Sequence, residues 1–325
     1  MNAILLMCHK NPNQVIRLID RCNSKNSNVF VHFDYKMNID DVNRIKQKFD
    51  SNENVYFCQS RIDGKLFSRT LIDMVMVLVS EVNKIEKKKN IHYHYYCLLS
   101  GQDYLIKPLS YIENELEKNY PIPYIDCTPY DIKNWMGNQF AFSNSYYKIL
   151  NHLNALKVGK LRKSLRILHI IYGYLVKSIE GSSIKQLEKL GVTIYGGSQW
   201  WILPDNIIDY IYSVYSSNPK YLKYLLYSSI PDETFFQTLA MQSTFKDLIE
   251  LNDKDARMQN CKTFAYFQDV NKPFKGHPYI FHEDNYNVIL ESDKWFARKF
   301  DMNEDEKIMN IIDEEILWGD KYGKI

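Results

Sequence analysis

The chain has 325 residues, with 41 Lys and Arg against 39 Asp and Glu, a net charge of +2 and a hydrophobic fraction of 45%. That length supports a large core in one or two domains, and the balance of apolar and charged residues excludes a disordered or fibrous chain. A net charge so near zero excludes a chain-wide nucleic-acid footprint and leaves room only for local basic patches. The 25 Tyr are a compositional excess, read as codon bias beside abundant Asn, Lys and Ile rather than as a sugar-stacking surface. Six cysteines are scattered without C-x-x-C spacing and are expected to be reduced. The apolar run within Met1–Lys10 is too short for a signal peptide or a membrane span, and no later run reaches spanning length. A soluble cytoplasmic protein is the expectation.

In chain order, Ala3–Cys8 is a short apolar strand closed by the turn signal His9-Lys10-Asn11-Pro12. Gln14–Cys22 places Val15, Ile16, Leu18 and Ile19 on one side, which predicts a helix. Asn28–Phe33 is a second strand ending at Asp34, Asp40–Phe49 a second helix, and Asn54–Phe57 a third strand. A long helix over Leu71–Ile85 and a buried strand over Tyr95–Leu99 follow, the latter stopping at Ser100-Gly101-Gln102-Asp103. This alternation predicts an α/β domain with a mostly parallel sheet flanked by helices. From about 128 to 192 the rhythm breaks, and a helical insertion is expected at about 150–190. Within it, Lys157, Lys160, Arg162, Lys163, Arg166 and Lys177 occur with no acidic residue, while Leu161, Leu165, Leu168, Tyr172 and Leu175 recur at helical spacing. Such a helix either lies on an anionic membrane surface or packs on the main domain with a solvated basic face.

In parallel sheets, ligands bind beyond the carboxyl ends of the strands, which directs attention to His9, Arg61, Asp34 and the 100–103 turn. No glycine fingerprint follows the first strand, so a dinucleotide fold and a P-loop are both unsupported. Pro231-Asp232-Glu233 opens a helix. Its two carboxylates act either as ordinary caps or, for Glu233, as a general base held ionised at the helix start. Arg298 and Lys299 lie between Phe296 and Phe300, with Lys262 upstream, and three such cations could hold a departing diphosphate in place of a metal. Metal ligands look poor. His92-x-His94 is read as strand without partners, and the single Asp103 after Tyr95–Leu99 is a thin set for Mg²⁺ or Mn²⁺. No metal and no other cofactor is expected.

Taken in order, His9-Lys10-Asn11-Pro12-x-Gln14, Val31-His32-Phe33-Asp34-Tyr35-Lys36, Leu98-Leu99-Ser100-Gly101-Gln102-Asp103-Tyr104, Gly197-Ser198-Gln199-Trp200-Trp201, Pro231-Asp232-Glu233-x-Phe235-Phe236-Gln237-Thr238 and Phe296-Ala297-Arg298-Lys299-Phe300-Asp301 resemble one family. It is the core-2/I-branching β-1,6-N-acetylglucosaminyltransferase family, which also contains the peptide O-xylosyltransferases. The resemblance spans nearly the whole chain. It implies a GT-A-type inverting glycosyltransferase that uses a UDP-sugar without a divalent metal. It further implies a single domain over 1–325, with a nucleotide-binding half at 1–127 and an acceptor and catalytic half at 128–325.

By position, Glu233 matches the family's base, and Lys299 with Arg298 matches the residues that hold the diphosphate, with Lys262 near the other basic position. His9, Asp34 and Arg61 fall where uridine is held, and Asp103, Trp200, Trp201 and Asp232 around the donor sugar and acceptor. Two departures stand out. Gly64–Arg69 replaces a tryptophan-containing turn, and Gln199 stands where the xylosyltransferases tend to carry Asp. The donor is therefore expected to be UDP-GlcNAc, with UDP-xylose as the alternative, and the acceptor a glycan or lipid-linked saccharide. A glycan- or nucleotide-binding protein without turnover is the rival from another class. No nucleic-acid partner is expected, and a cytoplasmic, membrane-peripheral bacterial version suits the missing anchor.

Overall fold

The computed structural model describes residues 1–131, 140, 142–155, 161–253, 256, 258–266 and 278–317. Strand β1 (Asn2–Cys8) is buried at every position. Its Ala3, Leu5 and Met7 pack into one core while Ile4, Leu6 and Cys8 pack into another, as alternation along a central strand requires. Helix α1 (Pro12–Cys22) starts after Asn11, which adopts the left-handed conformation, and has Pro12 in its first turn. Then come β2 (Ser27–Phe33), α2 (Ile39–Lys48), whose first turn is capped by the Asn38 side chain, and β3 (Val55–Phe57). Helix α3 (Thr70–Lys89) buries Ile72, Val75, Leu78, Val79 and Val82 along one stripe, and β4 (Tyr95–Ser100) follows it.

The second half is less regular. A turn leads into β5 (Asp103–Leu105), α4 (Leu109–Lys118) and β6 (Thr128–Pro129). The insertion comprises α5 (Asn144–Ala155), α6 (Leu161–Glu180) and α7 (Ser183–Lys189). After β7 (Tyr195–Gly196) and β8 (Ile202–Pro204) come α8 (Asp205–Ser217) and α9 (Leu222–Leu226). A 3₁₀ turn over Pro231–Glu233 precedes α10 (Phe235–Gln242), and β9 (Thr263–Ala265), α11 (Tyr286–Leu290), β10 (Phe296–Arg298) and α12 (Lys307–Ile312) complete the described chain.

The main sheet runs β3-β2-β1-β4-β8, with β3, β2, β1 and β4 parallel and β8 antiparallel to β4. Strand order reverses at β1, so a crevice opens between the ends of β1 and β4. Helices α3, α8 and α10 cover one face and α1, α2 and α12 the other. The expected α/β class with a parallel-rich sheet and flanking helices is what the chain adopts. A second sheet, β5-β10-β9, sits beside the crevice.

Three loops at the crevice are stitched together by Gln14, which is fully buried. Its amide donates to the carbonyls of Gly101 at 2.7 Å and Phe300 at 2.9 Å, and its oxygen accepts from the Met302 amide at 2.9 Å. Lys10 and Asn11 each reach an oxygen of Asp301 at 2.6 Å. These contacts explain why His9-Lys10-Asn11-Pro12-x-Gln14 and Phe300-Asp301 occur in one chain: they close one joint.

In the insertion, α6 meets α5 through His169, whose ring stacks 4.2 Å from that of Tyr146, and through Gly173, beside the same tyrosine. Yet Leu168, Ile171, Leu175 and Ile179 are exposed, Ile179 at 84%. A helix packed on the main domain through Leu168 and Leu175 is therefore not what forms. Lys157 and Lys160 lie outside the described residues. No described helix is long and apolar enough to cross a membrane. All six cysteines are buried free thiols.

Candidate active site

The register of the small sheet builds the centre of the site. Arg298 of β10 stands opposite Asp103 of β5, both on the edge of the crevice. Asp103 is fully buried, and its Oδ2 accepts from the Ser100 amide at 2.7 Å. Its Oδ1 lies 3.4 Å from Arg298 Nη1, an ion-pair contact without hydrogen-bond geometry, so a buried acceptor and a buried donor both retain capacity. Burial pushes the Asp103 carboxyl up and the Arg298 guanidinium down, and their mutual attraction opposes both shifts. The guanidinium carbon also lies over Trp200, 3.9 Å from its ring centroid, and is held from that side.

Lys299 continues from Arg298 toward the end of β1. Burial lowers its pKa first, and the charges of Arg298 and Lys10 lower it further. His9 is likewise lowered, by burial and then by Lys10, with Lys36 and Lys299 adding to it and Asp34 opposing. His9, Lys10, Lys36, Arg298 and Lys299 thus crowd one rim beyond the strand ends. The cations that lower Lys299 and His9 create a field that an anion would relieve.

Asp34 and Arg61 stand at the same rim, where both organise backbone. The Asp34 carboxylate accepts from the Lys36 amide at 2.8 Å and the Gly64 amide at 3.0 Å. Arg61 Nη2 donates to the carbonyls of Asp34 at 2.9 Å, Tyr35 at 3.1 Å and Met37. A Cβ at Gly64 would come within 2.7 Å of Asp34 Oδ2 and 2.9 Å of Met74 Sδ, so any larger residue would displace those side chains. The Gly64 backbone thus packs against the loop carrying Asp34 and Lys36.

Glu233 reaches the site through the 195–201 segment. Its carbonyl accepts from the Gly197 amide at 2.9 Å, and the Gln237 side chain donates to the Ser198 carbonyl at 2.7 Å. The turn carrying Glu233 is thereby tied to the segment that ends at Trp200 and Arg298. Gly197 is forced by contact: a Cβ would sit 2.0 Å from the Asp126 carbonyl oxygen. Glu233 is half-buried. Asp232 is not a cap; neither the 3₁₀ turn nor α10 has a side-chain cap bond, and Asp232 Oδ1 has no hydrogen-bond partner. Burial pushes its pKa up to about 6.

A raised acid pKa costs stability where the group is ionised. The cost is absent below the ordinary value near 4, grows as pH rises through the folded value near 6, and is complete above it. Asp232→Asn is therefore expected to raise unfolding free energy by up to about 3 kcal/mol at pH 7.5 and to change little at pH 4. Urea unfolding at the two pH values checks this.

Two expected site residues lie elsewhere. Trp201 is only 1% exposed and packs 5.1 Å from Phe236, centroid to centroid. Trp200 is buried in the same core cluster, and of the two it is Trp200 whose ring meets Arg298. Lys262 lies over the rings of Tyr124 at 5.1 Å and Trp295 at 5.2 Å, beside Lys294. It is one position out of phase with Thr263 and Ala265, which pair with Phe296 and Arg298, so its side chain leaves the other face of the small sheet. Conversely, Lys10, Gln14 and Lys36 belong to the site's frame, each inside one of the ordered sequence motifs.

No family model matches the chain, and no curated protein matches it. Among solved structures, the chain is similar to TarS 1–349 of S. aureus, with a TM-score of 0.27 and 11% identity over 44% of this chain and 41% of that one. It is similar to the mannosyltransferase Ktr4p of S. cerevisiae, with a TM-score of 0.35 and 15% identity over 77% and 68%. A structure of Ktr4p in complex with GDP gives a TM-score of 0.35 and 14% identity over 77% and 69%. The chain thus spans about two fifths of the TarS structure.

Proposed function

We propose that this chain is an inverting glycosyltransferase that moves GlcNAc from UDP-GlcNAc to a hydroxyl of a glycan or lipid-linked saccharide without a divalent metal. The observation that carries this reading is the cationic rim of Arg298 and Lys299 beside His9 beyond the strand ends, tied through Gly197 to the turn bearing Glu233. The ordered motifs that resemble the core-2/I-branching family, and the GT-A fold they imply, support it. In this reading the uracil lies by His9, Asp34 and the loop held by Arg61. The diphosphate meets Arg298 and Lys299, and Asp103 Oδ1 accepts from a sugar hydroxyl. Glu233 takes the proton of the acceptor hydroxyl as its oxygen attacks the anomeric carbon from the face opposite the diphosphate. The C–O bond to the diphosphate breaks, UDP leaves with the electron pair, and the linkage is inverted. By analogy with glycosidases the transition state is oxocarbenium-like, and the cations stabilise the charge that develops on the leaving group.

A panel of UDP-sugars tests the reading by slow hydrolysis and UDP release, in excess EDTA. UDP-GlcNAc turnover that EDTA leaves unchanged is the expected result. Preference for UDP-xylose corrects the donor, inhibition by EDTA overturns metal independence, and binding of UDP without turnover of any donor makes the chain a binding protein.

The exposed apolar residues of α6, together with the basic run at 157–177, support peripheral attachment to an anionic membrane on the cytoplasmic side, where lipid-linked acceptors are presented. Flotation with vesicles is expected to require anionic lipid, and to be lost in Leu168→Gln/Leu175→Gln/Ile179→Gln. Flotation indifferent to lipid charge removes this role.

A further inference from the structure

At the far end of the sheet from the crevice, the chain assembles a cluster that sequence spacing hid. His92 and His94 precede β4 rather than lie in it. Because Tyr95 pairs with Pro204 in the antiparallel β4–β8 ladder, the next position outward sets His94 against Asp205, whose amide donates to the His94 carbonyl at 3.0 Å. His92 is two residues away on the same side of an extended segment, its ring 5.1 Å from that of His94. One ligand atom each from His92, His94 and Asp205 lies within 4.8 Å of the others.

The contacts around the cluster supply an outer shell. His92 Nδ1 lies 3.2 Å from Glu86 Oε1, and Asp205 Oδ1 accepts from the Tyr120 hydroxyl at 2.8 Å. His92 Nε2 lies 2.6 Å from Asp205 Oδ2, so the imidazole and the carboxylate already converge on one point. A carboxylate behind one histidine nitrogen and a hydroxyl behind the ligand carboxylate are the outer-shell contacts that orient metal ligands.

We propose that His92, His94 and Asp205 bind one divalent transition metal ion of the zinc class, with Glu86 and Tyr120 orienting the ligands. Two imidazoles and one carboxylate match zinc's preferences, and the fourth position is left to water. Ligand atoms about 2.0–2.1 Å from a tetrahedral ion lie about 3.3 Å apart. The two exposed histidines reach that spacing by rotating their side chains. A cavity of about 300 Å³ lined by His94, Tyr120, Glu113, Glu117 and Met1 adjoins the cluster and gives it access to solvent. Six strand residues at about 3.3 Å each separate this site from the Asp103 rim by about 20 Å, so its metal takes no part in sugar transfer. It would pin the start of β4 to the first turn of α8 and to the Tyr120 loop.

Calorimetric titration of the untagged, EDTA-stripped full chain with ZnCl₂ at pH 7.5 tests the proposal. One equivalent is expected to bind, with affinity reduced more than about 100-fold in His94→Gln and about 10-fold in Glu86→Gln. Co²⁺ in place of zinc is expected to give the visible absorption of tetrahedral coordination in wild type and not in His94→Gln. Because His94 is exposed, that variant keeps its fold, which circular dichroism checks. No zinc binding by the wild-type chain, or equal binding by His94→Gln, would overturn the assignment.

Discussion

Replacing Glu233 by Gln is expected to lower sugar transfer by about 10²- to 10⁴-fold, the usual worth of a positioned general base, while UDP affinity stays near wild type. The amide keeps the shape of the side chain but cannot take a proton. In the proposed mechanism nucleotide binding relies on the rim at His9, Arg298 and Lys299, to which the 195–201 segment ties the turn bearing Glu233. The neighbouring Asp232 provides the control. It is buried, with a pKa raised to about 6, and its replacement by Asn is expected to change stability rather than the chemical step. Initial rates with a UDP-sugar, beside calorimetric UDP binding, separate the two residues. Full turnover by Glu233→Gln would remove Glu233 from the mechanism, and transfer abolished by Asp232→Asn alone would move the base to its neighbour.

The second large effect concerns the buried ion pair. Arg298→Ala leaves Asp103 fully buried, facing the space of the lost guanidinium and holding only the Ser100 amide. An uncompensated buried charge costs about 3–5 kcal/mol, so this single change is expected to destabilise the chain by that amount. It also uncovers one face of Trp200. The double variant Asp103→Asn/Arg298→Met removes both charges and fills similar volume, and is expected to recover most of the stability, because paired removal is often near neutral. Nucleotide affinity is not expected to return with it, since the rim has lost a cation. Urea unfolding and UDP titration of the three proteins check both halves. Recovered stability together with recovered UDP affinity would make Arg298 a purely structural residue.

Much of this was legible in the residues. The alternation of short apolar runs with 3.6-residue periodicity set the parallel sheet and its flanking helices, because both periods are written locally in the chain. The positions beyond the strand ends were legible for the same reason: His9, Asp34 and Arg61 each follow a strand that the pattern marks. The tyrosines were read as codon bias, and the fold gives several of them work. Tyr93, Tyr95, Tyr96, Tyr104 and Tyr147 are among the largest fully buried side chains. Tyr93 accepts from Asn28 at 2.6 Å, and Tyr95 donates to the Ile122 carbonyl at 2.8 Å.

Other features depended on residues far apart in sequence, and only the tertiary structure decided them. The strand register set Asp103 opposite Arg298 across 195 positions of chain, and it turned Lys262 away from the same rim. Of two adjacent tryptophans buried in one core cluster, only the fold shows that Trp200 meets Arg298 while Trp201 packs on Phe236. His92 and His94 acquired Asp205 from the other side of the β4–β8 ladder, where no spacing rule in the sequence could have found it. The charge balance near zero was legible from composition. The gathering of cations at one rim was not, because charge adds along a chain without regard to position while the field at a site depends on distances that folding alone establishes.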